Sequence, residues 1–79
     1  MNRRYAIREF LSGVLRQKGD LEPFSDSDSL LLSGRLQSLD ALELIVFLEE
    51  NFGFDFADHP FDQGHIDSVD RILTLLVDA

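Results

Sequence analysis

Apolar positions between residues 3 and 18 fall on one stripe. Ile7, Phe10, Leu11, Val14 and Leu15 stand at i, i+3, i+4, i+7 and i+8, the spacing of an amphipathic helix. Gly19, directly after Lys18, predicts the end of that helix, with a cation near its negative pole. The next stretch, DLEPFSDSDSLLLSGRLQ, is too polar for a strand and too interrupted by proline, serine and glycine for a regular helix. Phe24, Leu30 and Leu36 within it are apolar enough to be pinned to a core, which predicts an ordered loop rather than a linker. A second helix is expected over 38–52, with Gly53 as its stop. FDFADHPFDQGH reads as a connection with one short helical turn after Pro60. The last helix is expected to start near Ser68, capped by Asp67 or Ser68, with Val69, Ile72, Leu73 and Leu76 as its stripe. There is no internal repeat and no β alternation of any length. The pattern predicts a single all-α domain over residues 1–79: a small four-helix bundle of three main helices and one short helix.

The second helix carries more apolar residues than a bundle needs. On a helical wheel with Ser38 at zero, Ala41, Leu44, Ile45, Leu48 and Phe52 cluster between about 240° and 340°, the expected core face. Leu39, Leu42, Glu43, Val46, Glu49 and Glu50 fall between about 20° and 140°, away from it. Phe47 lies near 180°, between the two faces, and could shape the space beside the helix. Exposed aliphatic side chains ringed by acids predict a docking surface for proteins with basic patches.

Charge adds to that picture. Seven basic residues against fifteen acidic ones give a net charge of −8, which argues against nucleic acid and anionic membranes as partners. The distribution is uneven: residues 1–19 hold five of the seven cations and only Glu9, and residues 20–79 are left at −12. No cysteine is present, so disulfides, a thiolate nucleophile and a cysteine-based zinc site are excluded. No apolar run is long enough for a signal peptide or a membrane span, and the expectation is a cytoplasmic monomer.

With both faces placed, LQSLDALELIVFLEENFGFDF resembles the acyl carrier protein family around its modified serine. The family's usual form is Asp-Ser-Leu, then an acid, an aliphatic-rich helix, paired glutamates and Phe-Gly. Ser38-Leu39-Asp40 matches the centre, Glu43 the next acid, Glu49-Glu50 the pair and Phe52-Gly53 the exit. The preceding helix, the long loop and DSVDRILTLLV agree in order and length, so the resemblance covers nearly the whole chain. It implies that Ser38 takes a 4′-phosphopantetheine arm from coenzyme A through a phosphopantetheinyl transferase. The thiol of that arm holds acyl groups as thioesters for enzymes of fatty acid, polyketide or related biosynthesis, and the carrier itself performs no catalysis. Acyl-loading, elongating and transferring enzymes with basic patches are the partners implied. Their expected contacts are Gln37, Leu39, Asp40, Leu42, Glu43, Val46, Glu49 and Glu50. The resemblance also implies that Leu44, Ile45, Leu48 and Phe56 line a space for the acyl chain.

The residue before the serine is normally aspartate, and here it is Gln37. Glutamine is a weak helix cap and lacks the charge, so slower or more selective modification and a specialised carrier are expected. Two other serines imitate the site. Ser68, in Asp67-Ser68-Val69, precedes a helix without an acidic stripe and reads as a cap; Ser29 lies within the loop. His59 and His65 lack the spacing of a metal pair, and Leu31 and Gln37 break the calcium-loop pattern that starts at Asp26. The alternatives are an acidic interaction domain of carrier-like fold that is never modified, and an aminoacyl or peptidyl carrier.

Overall fold

A computed structural model describes residues 2–57 and 63–78 of the chain. Helix α1 runs over Arg3–Gln17 and is started by Asn2, whose side-chain oxygen accepts the Tyr5 N–H at 3.2 Å. It ends at Gln17, one residue before Lys18, where Gly19 had predicted its end. Gly19 turns the chain with φ 83°, its N–H reaching the Arg16 carbonyl at 3.0 Å, and the Asp20 N–H reaches the Leu15 carbonyl at 2.9 Å. Helix α2 covers Ser38–Phe52 and stops at Gly53, which sits in the left-handed region at φ 67°. A 3-10 turn at Gln63–Ile66 is the expected short element; Pro60, on which that expectation was placed, lies outside the described residues. Helix α3 spans Val69–Asp78. No strand occurs among the described residues, and none of their helices is long and apolar enough to cross a membrane.

One core joins all of these elements. Ile7, Leu11 and Leu15 of α1, Leu44 and Leu48 of α2, Ile66 of the turn, and Val69 and Ile72 of α3 are sealed from solvent. Each such side chain contributes about 1.5–3 kcal/mol on burial. Helix α3 packs on α1 and on the 3-10 turn. Lys18 meets Asp40 at one end of the α1–α2 pair and the Arg3 guanidinium lies 6.0 Å from the Phe52 ring at the other, so the two helices run antiparallel.

The long connection between α1 and α2 is ordered, as its apolar residues required. Phe24, Leu30 and Leu36 are all buried. Two arginines close on Phe24: Arg8 lies 4.5 Å from the ring centre and Arg35 6.0 Å. Arg35 also forks onto Asp20 at 3.0 and 3.1 Å and donates to the Glu22 carbonyl at 2.7 Å. Arg8 holds Asp26 at 2.7 Å and the Phe24 carbonyl at 2.9 Å. The loop therefore delivers Gln37 and Ser38 to a fixed place.

Candidate functional site

The start of α2 is built by three elements meeting. Leu36 is buried and donates its N–H to the Leu30 carbonyl at 2.7 Å, which ends the loop. Gln37 is extended at φ −108° and ψ 176°, and its carbonyl takes the first helical bond from the Ala41 N–H at 3.0 Å. The weak capping expected of glutamine is compensated from the first turn of the helix: the Asp40 carboxylate accepts the Gln37 N–H at 2.9 Å. Lys18, at the end of α1, donates to the same oxygen at 2.6 Å. The Lys18 hydrogen bond first, then the Gln37 N–H, hold the Asp40 carboxyl below its ordinary value of 3.8. Ser38 is left exposed as the first residue of the helix.

Asp40 is thus a structural acid as much as a surface one. It is half-buried, and its carboxylate is held by the Lys18 ammonium and the Gln37 N–H. Asp40→Ala should cost about 1 kcal/mol in urea unfolding followed by far-UV circular dichroism. Because folding lowers this carboxyl's pKa, its contribution is present above pH 3.8 and fades as pH falls through the folded value. A loss that persists undiminished at the acid end would show that the pair does not stabilise the fold through its charge.

Beyond Ser38 the outer face of α2 is open. Leu39 is 73% exposed, Leu42 59% and Val46 50%, so none is covered by a neighbouring loop. Glu43, Glu49 and Glu50 are exposed among them, and Gln37 is exposed at the head of the row. The core face is narrower than the wheel implied. Ala41, Leu44 and Leu48 are buried, but Ile45 and Phe52 lie at its edge and are half-buried. Of the four residues expected to line an acyl space, Leu44 and Leu48 are closed into the core, and Ile45 and Phe56 are half-buried at its margin.

Two further residues belong to the region and were not among those expected there. Lys18 is one, through Asp40. Phe10 of α1 is the other: its ring stacks on Phe47 with centroids 4.3 Å apart and planes 20° from parallel. Phe47 also meets Phe52 edge-on at 5.8 Å. Beside this stack lies an open groove of about 400 Å³, lined by Phe10, Leu42, Glu43, Val46, Phe47, Glu50 and Asn51. The sequence signal for it was Phe47 at the boundary of two faces, with Phe10 at the edge of the α1 stripe.

The lookalike serines are placed as their surroundings suggested. Ser68 is 5% exposed and its hydroxyl oxygen accepts the Arg71 N–H at 3.2 Å, the start of α3. Ser29 is exposed in the loop. His65 is exposed on the 3-10 turn, and His59 lies outside the described residues. Comparison with protein-family models, curated proteins and solved structures finds no match for this chain.

Proposed function

We propose that this chain is an acyl carrier domain, with Ser38 as the attachment point of a 4′-phosphopantetheine arm. The observation that carries the reading is the placement of that serine. It is exposed, it opens α2, and it stands at the head of a row of exposed leucine, valine and glutamate residues. Ser68, which keeps the aspartate that Ser38 lacks, is buried and used as a cap.

The first turn of α2 suits the group. A phosphodiester bears negative charge, and this turn offers it the positive end of a helix dipole. Attachment joins the Ser38 oxygen to phosphorus and breaks the bond to the nucleotide half of coenzyme A, which departs with its phosphate; the hydroxyl proton goes to a base on the transferase. When bound, the arm supplies the thiol that a cysteine-free chain lacks. The chain's own residues then do two things. Leu39, Leu42 and Val46 offer apolar contact to a partner, while Glu43, Glu49 and Glu50 attract its cations.

Incubation with coenzyme A and several phosphopantetheinyl transferases should add the mass of one phosphopantetheine. Ser38→Ala should abolish the gain, and Ser29→Ala and Ser68→Ala should leave it intact. Gln37→Asp should speed the reaction with broad-range transferases. A chain that gains no mass with any of them is an unmodified interaction domain instead, and one that gains it equally without Ser38 carries the arm on another residue, which overturns the assignment of Ser38.

A further inference from the structure

We infer that the outward face of α1 is a self-association surface, on which a second copy of this chain lies antiparallel across a two-fold axis between Ser12 and Gly13. Each protomer sets its Glu9 against Arg16 of its partner. Neither Ser38 nor the outer face of α2 takes part, so the contact forms whether or not an arm is attached.

The core claims one side of α1 and leaves the other bare. Ile7, Leu11, Val14 and Leu15 are buried, and Phe10 faces α2 through its stack on Phe47. On a wheel with Glu9 at zero, the four buried residues fall between about 140° and 240°. Tyr5, Gly13 and Arg16 lie within about 40° of Glu9, on the opposite side. Tyr5 is 64% exposed, and Glu9 and Arg16 are exposed beside it. Gly13 is the residue that the fold of one chain does not explain. A glycine inside a helix is destabilising relative to alanine. Its φ is not positive, and a Cβ placed on it would meet nothing within 4 Å. No turn and no close neighbour within the chain calls for glycine there, whereas a second helix crossing at that point does.

Charge fixes the occupant and its direction. Asp20, Asp26 and Asp40 are each held by an arginine or lysine of the chain, but Glu9 and Arg16 form no ion pair among the described residues. They stand seven residues apart, roughly 10 Å along the helix axis, too far to meet each other. Their midpoint falls between Ser12 and Gly13. A two-fold axis there brings Glu9 opposite the partner's Arg16 and Arg16 opposite the partner's Glu9, so one symmetric contact satisfies both charges twice. A parallel pairing would set Glu9 against Glu9. Residues 20–79 hold fourteen acids against Arg35 and Arg71, so two copies meeting through that surface set acid against acid. The same axis carries each Tyr5 ring toward the partner's loop, where a groove of about 360 Å³ runs beside Arg16 and the 77% exposed Leu21. One helix face per copy makes a small interface, below about 1,200 Å², so the pair forms at high concentration and parts on dilution. The monomer expected from the sequence is its dilute form.

Sedimentation equilibrium of the full chain, up to about 1 mM, tests the contact. The parent should show a reversible monomer–dimer equilibrium. Glu9→Arg and Arg16→Glu should each weaken it about tenfold. An equimolar mixture of these two variants should regain the parental association, because opposite charges again face each other at both positions. Arg71→Glu makes the same charge change on α3 and should leave the equilibrium within about twofold of the parent. Gly13→Leu should abolish the dimer while the thermal midpoint holds or rises, since leucine is the better helix former and its Cβ meets open space. A chain that stays monomeric throughout overturns the inference. So does a mixture that associates no better than either variant alone, or a Gly13→Leu chain that dimerises like the parent. Mass gain at Ser38 is a separate readout, so loss of the dimer leaves the carrier reading standing, and loss of the carrier reading leaves the dimer.

Discussion

Leu48→Ala is expected to remove about 2–5 kcal/mol of stability, against a total of roughly 4–12 kcal/mol for a chain of this length. Leu48 is fully buried on α2, in one cluster with Ile7, Leu11, Leu44 and Ile72. Truncation there loses the transfer free energy of the deleted atoms and leaves a void that the surrounding side chains fill only in part. The midpoint of thermal unfolding should drop by more than about 10 °C. Leu39→Ala, on the same helix, should stay within about 0.5 kcal/mol of the parent, because Leu39 is 73% exposed. The contrast also bears on cargo. If Leu48 bordered open space for an acyl chain in the folded state, its truncation would approach the cost of a surface change. A loss below about 1 kcal/mol at Leu48 would therefore contradict the packing seen around it.

The bounds of α2 were legible because two local signals agree: the apolar period begins at residue 38, and Gly53 supplies the left-handed residue that ends it. The same period separated buried Ala41, Leu44 and Leu48 from exposed Leu39, Leu42 and Val46. It failed at the edges. Ile45 and Phe52 are half-buried because a wheel angle does not say which neighbour covers the rim of a face. Nor could it reach contacts made across the fold. Lys18 and Asp40 are 22 residues apart in sequence, and only the antiparallel packing of α1 and α2 joins them. Ser38 as a candidate needed only its neighbours in sequence; the groove beside Phe10 needed two helices at once.

Asp67→Ala is the second change expected to have a large effect, on the order of 2 kcal/mol. Either Asp67 or Ser68 could have capped α3 on sequence grounds, and the structure divides the work. Ser68 takes the cap, while one Asp67 oxygen accepts the Leu31 and Leu32 N–H groups at 2.8 and 2.9 Å. Its backbone carbonyl accepts the Leu30 N–H at 2.8 Å. Asp67 therefore fastens the loop that leads to Ser38 onto the start of α3. Alanine removes the charged acceptor, so amide exchange at Leu31 and Leu32 should rise along with the loss of stability. Asparagine keeps an oxygen for both N–H groups and removes only the charge, so Asp67→Asn should cost less.

The acid limb of the stability curve distinguishes that charge from the geometry. Burial pushes the Asp67 carboxyl up, but the Leu32 N–H, the Ser29 hydroxyl and the Leu31 N–H together outweigh it and hold the group below its ordinary 3.8. A carboxyl lowered on folding stabilises the native state above its unfolded value and ceases to do so as pH falls through the folded one. The parent should then exceed Asp67→Asn in stability at pH 7, and the gap should close below about pH 4 as the parent carboxyl takes up its proton. Urea unfolding of both proteins across that range, followed by helical circular dichroism, measures the gap directly. A constant gap from neutral to acid pH would mean that the carboxylate's charge contributes nothing, and that its oxygen acts only as a neutral acceptor.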